Sequence, residues 1–410
     1  MTGHPGVFAF AHIGDLHLEK SGDRNAVDLR EILAEVATLH GHGLLDFAYL
    51  PGDIAERGEA AQYDILWEAL KEVLKAHPDL PVRPIAGDHD RQCGKMADFE
   101  TLFRQIAGTP RGRPLRVHTN PLPRPRHPVP VNQYYYADTF DDVRCLFLDM
   151  VSAGYGEEGF GLDFRLGPSQ RTWIAGELAA AARQKQPCAV FTHTYPDDLR
   201  VAEEKSELAG LIRGHGVRLV EMGHTHYNEL AHDGRTLYAS ARSVGQNEDG
   251  SVGYAVAAID GAVTSWRFKP LDRELPFVMI TSPADRRLST AALDPSDDVV
   301  VRALVLWDAP EASWSCQARV DGGPPHTMKP VSPRIVQGRV PWPDGSRRLS
   351  VTVTDARGRT DTDTIEPVSR TFVPPLTPDK PGSDAFRTGA WPEKGIRGDQ
   401  LGPNRNGRHW

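Results

Sequence analysis

The chain has 410 residues, 40% of them apolar, and a net charge of -8. That length suggests two domains, and the acidic balance leaves no chain-wide electrostatic footprint for nucleic acid, so no specific nucleic-acid partner is expected. No stretch approaches the ~20 apolar residues that span a bilayer, and Cys93, Cys145, Cys188 and Cys316 form no Cys-x-x-Cys pair, which argues against a disulfide framework or zinc knuckle and fits a reducing, cytoplasmic setting.

The first predicted strand, residues 7–13, begins so early that no secretory signal is expected before it. It leads into Asp15-x-His17. Residues 25–40 carry apolar side chains at 29, 32, 33, 36 and 39, a helical face. Residues 47–50 form a second apolar run before Gly52-Asp53, and residues 59–77 repeat the helical pattern until Pro78 stops it. A third run, 81–86, precedes Gly87-Asp88-His89-Asp90. Pro168 marks a helix start and residues 173–183 continue it. Run 188–191 leads to His193, and run 217–222 to Gly223-His224-x-His226.

Short apolar runs bounded by turn residues read as buried strands. Side chains just past their C-terminal ends gather at one edge of an α/β sheet, where such folds place their sites. Gly14, Gly52, Gly87 and Gly223 let the backbone turn there without a Cβ clash. Taken singly, an Asp-x-His or Gly-Asp pair reads as a turn, and His193 as a polar residue after a strand. Gly-His-x-His is more specific. Together they supply three carboxylates and four imidazoles, the oxygen and nitrogen donors that metals acting on phosphate prefer. His89 is better placed for proton transfer than for ligation.

With these motifs in order, the chain resembles the calcineurin-like metallophosphoesterase superfamily over residues 7 to about 270. It looks closest to the branch that holds class III cyclic-nucleotide phosphodiesterases. Arg91, the stretch from Gly161 through Gly167-Pro168-Ser169-Gln170 to Trp173, and Gly253-Tyr254 with its Asp260-Gly261 turn carry that likeness. The resemblance implies a four-layer α/β/β/α sandwich. It also implies two metal ions, one held by Asp15, His17 and His226 and the other by Asp88, His193 and His224, with Asp53 and a water or hydroxide shared between them. Such ions lie about 3.5–4 Å apart and clamp the attacking and leaving oxygens. Manganese, iron and zinc all suit these donors. His89 would face the phosphate and its leaving group, and Asp90 would orient His89. One departure is Asp88, where the family usually has Asn. A carboxylate there adds negative charge, which should tighten cation binding and weaken the pull on the substrate phosphate.

Residues 109–131 break the pattern with seven prolines, and carry Arg111, Arg113, Arg116, His118, Arg124, Arg126 and His127. They cannot form a regular helix or a central strand. Two readings stand: a solvated surface loop, or a basic lid over an anionic substrate. Beyond Pro270 the chain alternates with period two, as in Trp314, Cys316, Ala318, Val320 and in Leu349, Val351, Val353, with turns at Asp321-Gly322-Gly323, Asp344-Gly345 and residues 355–358. This predicts antiparallel strands with one buried face in a β-sandwich of immunoglobulin-like or fibronectin-like type. Packing, shaping the substrate mouth and oligomerisation are its candidate roles. The expected division is therefore a catalytic domain over 1–272, the accessory sandwich over 273–372, and a Pro/Gly-rich tail over 373–410. Such a tail usually reads as linker, but Trp391 and Trp410 could anchor it near the active site of its own or a neighbouring subunit.

The expected function is hydrolysis of cyclic nucleotides or other small phosphodiesters by a metal-bridging hydroxide, with a homo-oligomer allowed. Phosphomonoesterase and protein phosphatase are the alternatives within the superfamily, the latter because Arg57-Gly58 after Asp53 is similar to its signature. A DNA-repair nuclease shares the Asp-x-His-Leu start but not the basic surface. A metal-stabilised scaffold is the alternative of another class, and it would have no use for His89.

Overall fold

The computed structural model describes residues 6–91, 96–112, 117–122, 129–152, 163–247, 250–288, 298–308, 314–367 and 386–397. In the first part of the chain β1 (Phe8–His12), α1 (Arg24–Gly41), β2 (Ala48–Leu50), α2 (Ala60–Ala76) and β3 (Val82–Pro84) alternate, followed by the short α3 (Asp88–Arg91) and α4 (Met96–Ala107). Then come β4 (Val117–Leu122), β5 (Val129–Tyr134), β6 (Tyr136–Phe140), β7 (Val143–Phe147), α5 (Pro168–Gln184), β8 (Cys188–Phe191), α6 (Ala202–Gly214), β9 (Leu219–Met222), β10 (Glu229–His232), β11 (Leu237–Ser240), β12 (Gly253–Asp260) and β13 (Val263–Pro270). The remainder contains β14 (Phe277–Ser282), β15 (Asp298–Leu306), β16 (Ser315–Val320), β17 (His326–Pro330), β18 (Ile335–Pro341), β19 (Leu349–Thr354), β20 (Thr360–Ile365) and β21 (Phe386–Arg387).

The helices form where the apolar spacing predicts them. Leu29, Ile32, Leu33, Val36 and Leu39 are all buried on α1. On α2 the buried face is Ile65, Leu66, Ala69 and Leu70, and Glu59 with Gln62 closes a capping box at its start. Pro168 stands in the first turn of α5.

Two sheets result. One runs β13-β12-β1-β2-β3, with β1, β2 and β3 parallel. The other runs β21-β10-β11-β9-β8-β7-β6, with β7, β8, β9 and β11 parallel. They face each other across an aromatic layer: Phe10 meets Phe191 at 5.2 Å between ring centroids, and Phe47 lies 6.0 Å from Phe147. Below the strand ends, His12 of β1 and Glu221 of β9 meet at 2.6 Å, both fully buried. Burial pulls His12 down to about 3 and pushes the Glu221 carboxyl well above its ordinary value. Burial thus works against charge on both members of the pair. This part of the chain is a mixed α/β body, and among the described residues no helix is long and apolar enough to cross a membrane.

The described part of the proline-rich stretch departs from the reading as an irregular surface loop. β4 and β5 pair over six residues as a two-stranded ribbon outside the other sheets. Prolines pair there because the ribbon has no central strand to interrupt. Arg111 lies beside Asp79, just ahead of β3, and its carbonyl accepts from Arg83 on that strand. It is therefore at the opposite end of the sheet from the Asp15, Asp53 and Asp88 loops. Arg113, Arg116, Arg124, Arg126, His127 and Cys93 lie outside the described residues.

The third sheet is antiparallel, in the order β14-β15-β18-β17-β16-β19-β20. It curls until β14 meets β20: the Val278 and Ile280 amides donate to Asp361 and Asp363 at 2.8 Å. Cys316, Ala318, Leu349, Val351 and Val353 fill the predicted inward face. Asp321, Gly322, Gly345 and Gly358 take positive φ in the predicted turns. This sheet packs on the α/β body: Phe277, Met279, Leu304, Leu306 and Ile335 join the body's core, and Arg302 pairs with Asp260 at 2.7 Å. The tail is not all linker. Residues 386–397 dock, with Trp391 only 1% exposed, whereas Trp410 lies outside the described residues.

Phe10 is fully buried at the junction of the two sheets. Phe10→Ala should lower stability by about 3–5 kcal/mol. In urea denaturation this would show as a lower midpoint at unchanged slope.

Candidate metal centre

Each of the seven ligand candidates sits just beyond the C-terminal end of a parallel strand. Asp15 and His17 follow β1, Asp53 follows β2, Asp88 follows β3, His193 follows β8, and His224 and His226 follow β9. The loops are laced together. The amides of Leu16 and His17 both donate to the Asp53 carbonyl, at 3.0 and 2.8 Å, and Leu18 pairs with Ala55. The backbone bends hard to do this: His17, Asp53, His224 and His226 have φ of 46, 47, 67 and 65°, a region that costs non-glycine residues on the order of 1–3 kcal/mol each. Gly52 has φ of 106°. Gly223 serves a different need, since a Cβ there would overlap the Asp15 carboxylate.

Two groups of donors form, and Asp53 belongs to both. Asp15, His17, Asp53 and His226 make one; Asp53, Asp88, His193 and His224 make the other. In the first, His17 Nε2 lies 3.0 Å from His226 Nε2 and 3.8 Å from Asp53 Oδ2, and His226 Nε2 lies 3.7 Å from Asp15 Oδ2. In the second, Asp88 Oδ1 lies 2.9 Å from both His193 Nε2 and His224 Nδ1, and His193 Nε2 is 3.5 Å from Asp53 Oδ2.

The donor set fits a pair of divalent cations. Three carboxylates are buried together, a costly arrangement without positive charge between them. Asp15 Oδ1 and His226 Nδ1 are buried with no hydrogen-bond partner. The outer nitrogens of two imidazoles are committed elsewhere: His193 Nδ1 donates to the Pro51 carbonyl at 2.7 Å, and His17 Nδ1 faces the Glu56 carboxylate at 3.1 Å. A proton held on Nδ1 turns the Nε2 lone pair inward, as a ligand requires. The titration behaviour agrees. Burial pushes Asp15 up to about 6. Burial also opposes charge on His193, yet Asp53, Asp88 and Asp15 overcome it and push its pKa well above the ordinary value. For Asp53, burial and Asp88 are outweighed by His193 and His17, leaving it at about 2. The pocket as built attracts positive charge.

His89 stands at the rim, its side chain 21% exposed, with its ring 4.6 Å from that of His17. Its amide donates to Asp53 Oδ1 at 2.8 Å, and its Nδ1 donates to the Glu56 carbonyl at 2.8 Å. Asp90 lies behind it on the same turn. The Asp90 carboxylate accepts from the Gly87 amide at 2.9 Å, the Ala55 amide at 3.1 Å and the Tyr63 hydroxyl at 3.0 Å. Successive residues of a helical turn point in different directions, so Asp90 faces inward and braces the two loops while His89 faces out. Burial pushes Asp90 up to about 6.

Glu56 is the residue that motif reading missed. Its carboxylate accepts from His17 Nδ1 and from Gln246 Nε2, both at 3.1 Å, while its carbonyl holds His89. The hydrogen bond from His17 is the main cause that lowers its pKa. Its spacing, three residues after Asp53 in a loop that must lie beside Asp15-x-His17, was the available signal.

Residues 8–228 match the calcineurin-like phosphoesterase family. The chain is 28% identical over 232 residues to a protein of Rhodococcus erythropolis described as a probable cyclic nucleotide phosphodiesterase. That match spans 54% of this chain and 65% of the relative, less than two thirds of the relative's length. Among solved structures, a dimetal phosphatase from Danio rerio superposes with a TM-score of 0.45 at 15% identity, over 64% of this chain and 96% of that one. A purple acid phosphatase from yellow lupin seeds gives 0.43 at 14% identity, over 65% of this chain and 52% of that one.

Carboxylates that orient a metal-binding imidazole typically contribute 10–100-fold to metal affinity. Glu56→Ala should weaken one of two manganese-binding steps by about that range, read by equilibrium dialysis, while Glu56→Gln, which keeps an acceptor, should recover part of the loss.

Proposed function

The chain belongs to the calcineurin-like phosphoesterase family, a family of phosphoric-ester hydrolases, and on that premise we propose that it is a two-metal phosphodiesterase acting on cyclic nucleotides or other small phosphodiesters. The observation that carries this reading is the pair of donor groups sharing Asp53, with His89 at their rim. Asp15, His17 and His226 would hold one ion and Asp88, His193 and His224 the other, with Asp53 belonging to both groups. When bound, two divalent ions neutralise phosphate charge and lower the pKa of a water between them.

The protein's own groups do the rest. Glu56 and Pro51 keep the protons of His17 and His193 on Nδ1. Asp90 locks the 87–90 loop against the 54–55 loop, which fixes where His89 projects. With its Nδ1 donating to the Glu56 carbonyl, His89 would move a proton to the departing oxygen from the rim of the site. The preference for a diester is supported by the relative's description as a probable cyclic nucleotide phosphodiesterase.

We read residues 1–272 as the catalytic domain, 273–372 as an immunoglobulin-like or fibronectin-like sandwich and 373–410 as the tail. What supports the sandwich is the strand order: β14-β15-β18 lie side by side, as do β17-β16-β19-β20, and β17 joins the two groups, meeting β16 through Met328 and β18 through Lys329.

A panel of cyclic nucleotides, aryl phosphodiesters and monoesters, run after loading with manganese, iron or zinc, tests the substrate class. Fastest turnover of monoesters would replace the proposal with a phosphomonoesterase. His89→Ala should keep both metals and lose about 10²–10⁴-fold in turnover; full turnover in that variant would remove His89 from the reaction. Asp88→Asn should release one ion several-fold more readily during dialysis, and unchanged metal content and rate would count against Asp88 as a ligand.

A further inference from the structure

Residues 386–397 form a strap tied at three places. At its start β21 pairs antiparallel with β10, and the Thr388 amide donates to the Leu230 carbonyl at 2.9 Å. In its middle, Trp391 is buried under the Arg287 guanidinium, 3.5 Å from the ring centroid, and the one-turn helix Pro392–Lys394 follows. Lys394 is buried and its Nζ meets Asp363 of β20 at 2.6 Å, while Arg267 of β13 donates to the Glu393 carbonyl at 2.9 Å. At its end the carbonyl of Gly395, a residue with φ of 84°, accepts from Asn228 Nδ2 at 3.0 Å and from Arg242 at 3.1 Å.

That last contact leads to the metal centre. Asn228 follows His226 by two residues, and its side-chain oxygen accepts from the Arg242 amide at 2.8 Å. The Arg242 carbonyl packs against Gly14, where a Cβ would overlap it. Its neighbour Ser243 donates from its hydroxyl to the Asp15 carbonyl at 2.8 Å and from its amide to the His226 carbonyl at 3.3 Å. The amides of Val244 and Gly245 also donate to the Asp15 carbonyl, at 2.9 and 3.1 Å. A path of hydrogen bonds joined by short stretches of backbone therefore runs from Asp363 in the C-terminal sheet, through the strap, to the backbones that carry Asp15 and His226.

We propose that the strap is a positioning element for the Asp15–His17–His226 group, anchored on the C-terminal sheet, and that it sets the affinity of that group for its ion. The role assigns the C-terminal sheet a task at the active site without placing any of its residues there. The inference rests on the two-metal reading above.

Manganese alone is the probe, titrated calorimetrically into the 410-residue chain and into its variants Trp391→Ala, which unseats the strap, and Gly395→Ala, whose methyl group would overlap Phe268. The expected result is two binding steps in the wild type, one of them weakened by about fivefold or more in each variant, as for couplings between separate sites, and the other unchanged. Coupling is reciprocal, so manganese should slow hydrogen exchange at the Thr388, Trp391 and Ile396 amides of the wild type. That second measurement decides the matter even where a variant does not fold. Unchanged affinities in folded variants, or strap exchange that ignores manganese, overturns the proposal while leaving the metal centre intact. A wild type that binds no ion overturns both.

Discussion

Three carboxylates held out of water at the meeting point of five strand ends are the constraint that organises this molecule. Asp15, Asp53 and Asp88 cannot all stay ionised there without positive charge among them, and the neighbouring imidazoles supply it only by taking protons against the cost of burial. Asp53 is the hinge of the arrangement. Its side chain belongs to both donor groups, its carbonyl accepts two amides from the 15–18 loop, and its Oδ1 accepts the His89 amide. Two cations held there would relieve the repulsion and supply the positive field that a phosphate ester needs in order to be attacked.

Holding such a centre requires rigid support because the loops are strained. His17, Asp53, His224 and His226 occupy left-handed backbone conformations, and strained residues persist only where their surroundings over-determine them. Here the surroundings are layered. Glu56 holds His17 and His89, Asp90 ties the third loop to the second, and Ser243 ties the first loop to the last. Beneath them lie the aromatic layer and the buried His12–Glu221 pair, which join the two sheets face to face. The strap and the C-terminal sheet extend the same support outward. Lys394 and Asp363, both buried, meet at 2.6 Å where the strap lies on that sheet, an arrangement that by itself is a weak source of stability.

Much of this was legible in the residues. Helix α1 buries the five apolar positions that its spacing selects, and the strands that lead to the metal-binding loops fall inside the predicted apolar runs. The inward face of the C-terminal strands and their Asp-Gly turns could be read in the same way. Which groups Asp90 meets could not be read from the motifs, because neighbouring residues in a helical turn diverge, and its carboxylate accepts from the Ala55 amide and the Tyr63 hydroxyl. Arg111 was a plausible lid residue until its place ahead of β3 put it at the far end of the sheet.

The sequence by itself determined the local elements and the identity of the donors, because period, turn chemistry and residue type act over a few positions along the chain. Only the tertiary structure decided which groups orient those donors: the Glu56 carboxylate on His17, the Gly395 carbonyl under Asn228, Trp391 buried rather than free. Each of these joins backbone segments between 39 and 167 residues apart, and contacts at that separation leave no periodic trace in a sequence, since they depend on where two sheets and a strap come to rest in space.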